Sequence, residues 1–197
     1  MIWEVDSSLE SLLRAEAVRD PEIEVVFDAP ASDWAARLTG PVVDAYLYDI
    51  HEDVERRHAG TAPDRDENGR IVGRRPAVRY YRLSYLITAW TTRAADEHRL
   101  LGQLLENLIR FDQVPAEHLK GRLAGKSIPL TTAIPQPDRN ASDLWTAVGG
   151  DMKPSLDLLV LVPITPAVTF VVGPPTEGRR VSTQEKLPRP VVDPRRG

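Results

Sequence analysis

Four consecutive side chains are of the types that do acid–base chemistry. Asp96, Glu97, His98 and Arg99 lie in the stretch YLITAWTTRAADEHRLLGQLL, residues 85–105. Carboxylates and an imidazole at the mouth of a strand would form a general acid–base site. The same residue types also form the ordinary polar beginning of a helix, where free backbone N–H groups and the helix dipole favour negative charge. The elements around them decide between these two interpretations.

The residues that follow this cluster predict an amphipathic helix over residues 95–111. Its apolar positions recur at the spacing of one helix face, and they are Leu101, Leu104, Leu105 and Leu108. Asp96 and Glu97 then fall in the first turn, and His98 and Arg99 continue the side that faces solvent. We therefore interpret the four side chains as the start of a helix and not as a catalytic cluster.

A phosphate-binding loop is suggested by the segment GRLAGKS, residues 121–127. Such a loop has four residues between its glycines, so that successive N–H groups curl around the phosphates, but only three residues separate Gly121 from Gly125. The segment also follows a helix and leads into a predicted strand, whereas a phosphate-binding loop follows a strand and begins a helix. The pattern therefore favours a turn over a nucleotide site.

Two acidic segments have residue types that bind metal ions. Residues 64–69, DRDENG, match the first half of a calcium loop, but Arg75 occupies the position that needs a bidentate Glu. His51 lies with Glu52 and Asp53 at the end of a predicted strand, and this spacing matches no common metal site. We therefore expect no metal and no cofactor. A small hydrolase or metal-dependent enzyme that uses His51 stays open as an alternative function.

The composition is that of an ordinary globular protein, with 197 residues, 42% of them hydrophobic and 27% charged. A net charge of −4 gives no reason to expect nucleic acid as a partner, because a phosphate backbone requires a basic surface. The absence of cysteine excludes disulfides and thiol catalysis. The longest apolar stretch, residues 158–162, is too short to cross a bilayer. We expect a cytoplasmic protein without nucleic-acid or membrane partners.

The order of the predicted elements indicates an α+β fold, with a mixed, mostly antiparallel sheet and helices packed on it. A capping box predicts a first helix that begins at Ser7 and ends before Pro21. Other helices are predicted over residues 32–38 and 142–148, and strands over residues 22–27, 41–50, 79–90, 127–134, 154–162 and 167–172. The strand over residues 79–90 is the expected antiparallel partner of the strand over residues 41–50.

Two segments are predicted to project from this core. Residues 56–77 are polar and contain Asn68-Gly69, the strongest hairpin-turn signal in the chain, which predicts a long β-hairpin. Residues 166–197 are predicted to form a proline-rich, basic arm that follows a domain of residues 1–165. Such an arm can add a strand to a neighbour's sheet edge. The candidate interface residues are the arginines of these segments: Arg56, Arg57, Arg65, Arg70, Arg74, Arg75, Arg179 and Arg180.

Three stretches of the chain resemble the cap, or tail-terminator, proteins of extracellular contractile injection systems. These systems are phage-tail-like particles of the virulence-cassette and antifeeding-prophage type. The stretches are DAPASDWAARLTGPVVDAYLYDIHEDVERR, RLSYLITAWTTRAADEHRLLGQLLENLIRF and DLWTAVGGDMKPSLDLLVLVPI. The resemblance covers about residues 1–165 in matching order, including the Asn-Gly turn between the two long strands.

The resemblance implies a structural role and no enzyme activity. Proteins of this family form a six-fold ring that closes the inner tube and caps the surrounding sheath, and such a closed ring requires head-to-tail contacts. It therefore implies a terminator-type fold, a homohexamer, and sheath and inner-tube subunits as partners within an assembled particle. It supplies no catalytic residues. A free adaptor that binds one partner through its arm is a further alternative.

Overall fold

The strands of this protein form two sheets. A computed structural model describes residues 1–133, 140–168 and 170–171 of the chain. The strands within these residues are β1 Glu24–Val26, β2 Val42–Glu52, β3 Thr61–Arg65, β4 Ile71–Pro76, β5 Arg79–Trp90, β6 Leu130–Thr132, β7 Ser155–Ile164 and β8 Phe170–Val171. A five-stranded sheet has the order β1-β2-β5-β7-β6, and a three-stranded sheet has the order β3-β4-β8.

The two longest strands, β2 and β5, form the centre of the five-stranded sheet. They pair antiparallel from Val42 opposite Trp90 to Glu52 opposite Tyr81. Both strands are rich in β-branched and aromatic residues, which suit a pleated surface that is covered on its faces. The bounds of β5 and its antiparallel pairing with β2 confirm the prediction from the sequence. β5 is central because β7 pairs with its other edge.

The five-stranded sheet is mixed. β1 runs parallel to β2, whereas β5, β7 and β6 each run antiparallel to the strand before them in the sheet. This confirms the predicted α+β fold with a mixed, mostly antiparallel sheet. Three of the predicted strands are shorter in the structure, since β1, β6 and β8 have only two or three residues each.

The α-helices within the described residues are α1 Ile2–Leu12, α2 Ser32–Ala35, α3 Ala94–Leu108 and α4 Ala141–Val148. A π-helix, Leu13–Ala17, continues α1, and short 3-10 helices span Val54–Arg56, Ala116–His118 and Gly121–Leu123. The predicted start of the first helix at Ser7 is wrong, because α1 begins five residues earlier and contains Ser7. No capping box forms there; the next residue, Ser8, donates its hydroxyl to the carbonyl of Glu4 inside the helix. None of the helices described is long and apolar enough to span a bilayer.

One hydrophobic core lies between α1, α3 and the sheet. Its members from α1 and α3 are buried leucines and a valine, and they are Val5, Leu9, Leu12, Leu100, Leu101, Leu104 and Leu108. The predicted helix 95–111 is confirmed as α3. Leu105, which was predicted to lie on its apolar face, is only half-buried, whereas Leu100, which was not, is buried. The hydroxyl of Tyr85, which is buried on β5, donates to Asp6 of α1 at 2.7 Å. Helix and sheet are therefore joined by a polar contact as well as by apolar ones.

The predicted hairpin is confirmed. β3 and β4 pair antiparallel, and Gly69 between them has a φ of 78°, which favours glycine. The carboxylate of Asp66 accepts hydrogen bonds from the backbone N–H groups of Asn68 and Arg70, which holds the turn. β8 adds a third strand, with Phe170 opposite Arg74. Residues 172–197, including Arg179 and Arg180, lie outside the described residues.

Candidate functional site

The four polar side chains at the start of α3 do not converge. Asp96 pairs with Arg99 along the helix surface at 2.7 Å, and His98 is exposed. Glu97 turns away from both and accepts a hydrogen bond from Nζ of Lys153 at 2.5 Å. The interpretation as a helix start is confirmed, since the acids lie in its first turn. The burial of Glu97 was not predicted, because its partner is distant in the sequence.

A cluster of three tryptophans lies beside this ion pair. The rings of Trp34 and Trp90 are 5.4 Å apart and nearly perpendicular, and Trp90 and Trp145 are 6.5 Å apart. Nζ of Lys153 lies 4.1 Å from the centre of the Trp90 ring, where the negative face of the indole attracts a cation. The cluster joins the end of β5 to α2 and α4. It is therefore a structural element of the fold.

The segment that resembles a phosphate-binding loop is a turn that binds a carboxylate of the chain itself. Glu4, which is buried, accepts the backbone N–H of Arg122 at 3.0 Å and contacts its guanidinium at 3.2 Å. The backbone hydrogen bond, aided by the guanidinium, lowers the pKa of Glu4 to about 2. The backbone N–H and the guanidinium of Arg122 are therefore occupied by Glu4, which agrees with the prediction of a turn.

The two acidic segments with metal-binding residue types are engaged in contacts of their own within the described residues. Asp66 of the calcium-like segment accepts backbone N–H groups of its own turn. His51 pairs with Asp49 at 2.6 Å and is mostly exposed. Among the residues that the structure describes, no three histidine or acidic side chains are placed to hold a metal ion. The alternative of an enzyme that uses His51 therefore gains no support from the geometry.

The acidic residues after His51 belong to a network of arginines at the base of the hairpin. Asp53 is buried and contacts Arg56 at 3.5 Å and Arg82 at 3.3 Å. The adjacent Glu52 contacts Arg57 at 3.4 Å and Arg79 at 3.7 Å. Two of the predicted interface residues, Arg56 and Arg57, are therefore engaged within the chain, where they fix the point at which the hairpin leaves β2 and β5.

The other hairpin arginines are exposed. Arg65 donates to the carbonyl of Gly69 at 2.7 Å, and Arg74 makes a long contact of 3.4 Å with the hydroxyl of Thr61. The side chains of Arg70 and Arg75 make no hydrogen bond or ion pair with the described part of the chain. These two guanidinium groups are therefore free to bind a neighbouring molecule, as far as the described residues are concerned.

The three-stranded sheet also exposes apolar side chains. Phe170 lies opposite Arg74 in the ladder, and Val72 is two residues before Arg74, so the three residues share one face. Val72 is 53% exposed and Phe170 is 54% exposed. A face with two half-exposed apolar residues and an arginine has the composition of a surface that another molecule covers.

This chain belongs to a family described as the Pvc16 N-terminal domain. The family profile matches residues 4–178, which includes nearly all of the described elements. The resemblance expected from the three sequence stretches is thereby confirmed. No curated protein sequence shows significant similarity to the chain.

Two solved structures share the fold. The sheath/tube terminator of an extracellular contractile injection system, PVC, in its extended state, is 23% identical, with a TM-score of 0.69 over 95% of this chain and 65% of that chain. The tube-terminating cap of the anti-feeding prophage is 22% identical, with a TM-score of 0.61 over 91% of this chain and 60% of that one. The present chain therefore spans less than two thirds of the length of these two proteins.

Proposed function

We propose that this protein is the cap of a contractile injection system. Copies of it form a ring that closes the end of the inner tube and anchors the end of the sheath, and this ring stops further polymerisation. The observation that supports the proposal most strongly is the similarity of fold over 95% of the chain to a protein described as a sheath/tube terminator. In this proposal the protein acts through its shape and its contacts with neighbouring subunits, and not through a chemical reaction.

The polar groups of the described residues fit a structural role. Three buried carboxylates each pair with a cation inside the chain: Glu4 with Arg122, Glu97 with Lys153, and Asp53 with Arg82. Pairs of this kind hold elements together, and these three carboxylates are therefore not free to act as a base or nucleophile. The ring itself requires one contact that repeats between neighbouring copies, and six copies would match a six-fold tube.

The partners in this proposal are the inner-tube and sheath subunits of the particle, which assembles in the cytoplasm. The hairpin and the C-terminal segment supply the contacts, through Arg70, Arg75, Arg179 and Arg180. Deletion of residues 174–197 tests the part of the C-terminal segment. If the particles have normal length and contract normally after this deletion, the C-terminal segment does not supply the contacts, and the hairpin is the remaining candidate.

The location of the chain in the particle tests the proposed function directly. An epitope tag on the chain, detected by gold-labelled antibody in electron micrographs of purified particles, should mark one end of each particle. Label distributed along the sheath, or at the end that carries the baseplate, would exclude the role of a cap. A tagged sheath subunit serves as the control, because it must label the whole length.

A further inference from the structure

The two ends of the five-stranded sheet carry opposite charge. Residues 20–33, here called the acidic segment, contain five acidic and no basic residues, and all five acids are exposed. β1 lies in this segment and pairs with the start of β2 at Val42. Residues 56–82 contain eight arginines and three acids, and they follow the other end of β2 at Glu52. The ends are about 30 Å apart, because ten residue steps of a strand separate them.

Most of this acidic charge is not neutralised by ion pairs with the described residues. Asp33 pairs with Arg37 at 3.3 Å along the surface of α2. Glu22 and Glu24, in contrast, make no ion pair with the residues that the structure describes. The negative charge of these two residues therefore faces solvent beside the first residues of β2. The positive charge of Arg70 and Arg75 faces solvent on the hairpin.

An open groove of about 970 Å³ adjoins the acidic segment. It runs between the end of the first helix, the loop before β2 and one side of α3. Its apolar lining includes Val18, Ile23, Leu38 and Pro41. The charged residues that line it, Arg19, Asp20, Asp96 and Arg99, balance one another. The lining is therefore neutral, and the negative charge beside it comes from the other acids of the acidic segment.

The hairpin has the properties that such a groove would bind. The face of the three-stranded sheet with Val72, Arg74 and Phe170 combines two half-exposed apolar side chains with a guanidinium. The apolar side chains match the groove lining, and the arginines match the acids at its rim. Charge complementarity of this kind steers association and fixes the register of a contact. Since the two surfaces lie at opposite ends of the five-stranded sheet, they cannot meet within one copy.

We propose that the hairpin face of one copy binds the groove and acidic segment of the next copy. The contact is head-to-tail, and head-to-tail contacts generate closed rings when the rotation between copies closes. This inference rests on the proposed function, since it identifies the surfaces that join the copies of the cap. The partner is a second copy of this chain, and a tube or sheath subunit on either surface is an outcome that the experiment must detect.

Cross-linking between introduced cysteines tests the contact, because the chain has no cysteine of its own. Two differently tagged forms, Arg74→Cys and Glu22→Cys, are expressed together in cells that assemble the complete particle. A short bismaleimide should yield a two-chain product that carries both tags. One chain with both substitutions should yield a ladder of products up to the size of the ring.

A charge exchange provides an independent measurement. The double substitution Arg70→Glu with Arg74→Glu should lower the amount of the chain in purified particles by tenfold or more. Adding Glu22→Arg and Glu24→Arg to the same chain should restore that amount. Lys126→Glu, at an exposed residue that neither lines the groove nor belongs to the hairpin, is the control and should leave incorporation unchanged.

The possible results distinguish failure of the proposed contact from failure of the proposed function. Products that join only identical positions, products that join the chain to a tube or sheath subunit, or failure of the charge exchange to restore incorporation would each overturn the proposed contact. The function as a cap would survive any of these results if the chain still marked one end of the particle. Absence of the unaltered chain from the particles would overturn both.

Discussion

Glu97 and Lys153 form an ion pair of 2.5 Å that is largely removed from solvent, with side-chain exposures of 11% and 18%. The pair joins the first turn of α3 to the segment before β7, and Glu97 also accepts the backbone N–H of Thr91 at 3.2 Å. Because the ammonium group also contacts the face of Trp90, loss of the lysine would leave a buried carboxylate and an uncovered indole.

We predict that Lys153→Met lowers the free energy of unfolding by about 2–4 kcal/mol, because it leaves Glu97 buried without its partner. Arg99→Met is the matched control, since it breaks the exposed pair with Asp96, and it should cost less than about 1 kcal/mol. Urea denaturation of the two variants measures the difference. Equal losses of stability would show that the burial of Glu97 has no energetic consequence.

Asp44, on β2, is fully buried and poorly compensated. One carboxylate oxygen accepts the backbone N–H of Asp28 at 3.1 Å, and the other has no hydrogen-bond partner among the described residues. Burial raises the pKa of Asp44 to about 8, because the charged form loses its hydration. The folded state therefore holds a proton on Asp44 at pH values at which the unfolded chain has released it.

This raised pKa predicts that stability falls as the pH rises. The contribution of protonated Asp44 is fully present below about pH 4 and is lost progressively up to about pH 8. Asp44→Asn should flatten this dependence and raise the free energy of unfolding at pH 9 by at least about 1 kcal/mol. Denaturation curves at several pH values provide the measurement. An unchanged pH dependence in the variant would show that another group is responsible.

Two glycines of the turn that contacts Glu4 of α1 form a matched pair for substitution. Gly121 and Gly125 both have a positive φ, of 57° and 76°, so alanine is strained at either position and should cost about 1–2 kcal/mol. A Cβ at Gly121 would also collide with the carboxylate of Glu4, whereas a Cβ at Gly125 would meet open space.

We therefore predict that Gly121→Ala lowers the thermal midpoint more than Gly125→Ala does. The difference between the two glycine variants should disappear when both are made in a Glu4→Ala background, since the collision is then absent. If the two alanine variants unfold at the same temperature, the contact between Glu4 and the turn does not hold α1 in place.

Much of the fold could be predicted from local sequence patterns. The bounds of β5, the amphipathic α3 and the Asn68-Gly69 turn follow from periodicity and turn chemistry, which are properties of neighbouring residues. The end of α4 at Gly149 follows in the same way, since this residue adopts a left-handed conformation with a φ of 70°.

The parts that were missed depend on residues far apart in the chain. Ser7 and Glu10 have the pattern of a capping box, but α1 begins N-terminal to it, where Val5 is buried in the core and Glu4 binds Arg122 of a distant turn. The parallel pairing of β1 with β2 depends on the path of the chain, which no local pattern specifies. Likewise, the sequence could identify exposed arginines but not that Asp53 is buried and pairs with the distant Arg82.

The length of particles made without this chain tests the account most directly. Particles assembled from all other components, with the gene for this chain deleted, are measured by electron microscopy beside particles in which it is restored. The account predicts tubes or sheaths of irregular length with open ends, and a return to uniform, closed ends on restoration. Uniform lengths and closed ends in its absence would contradict the account.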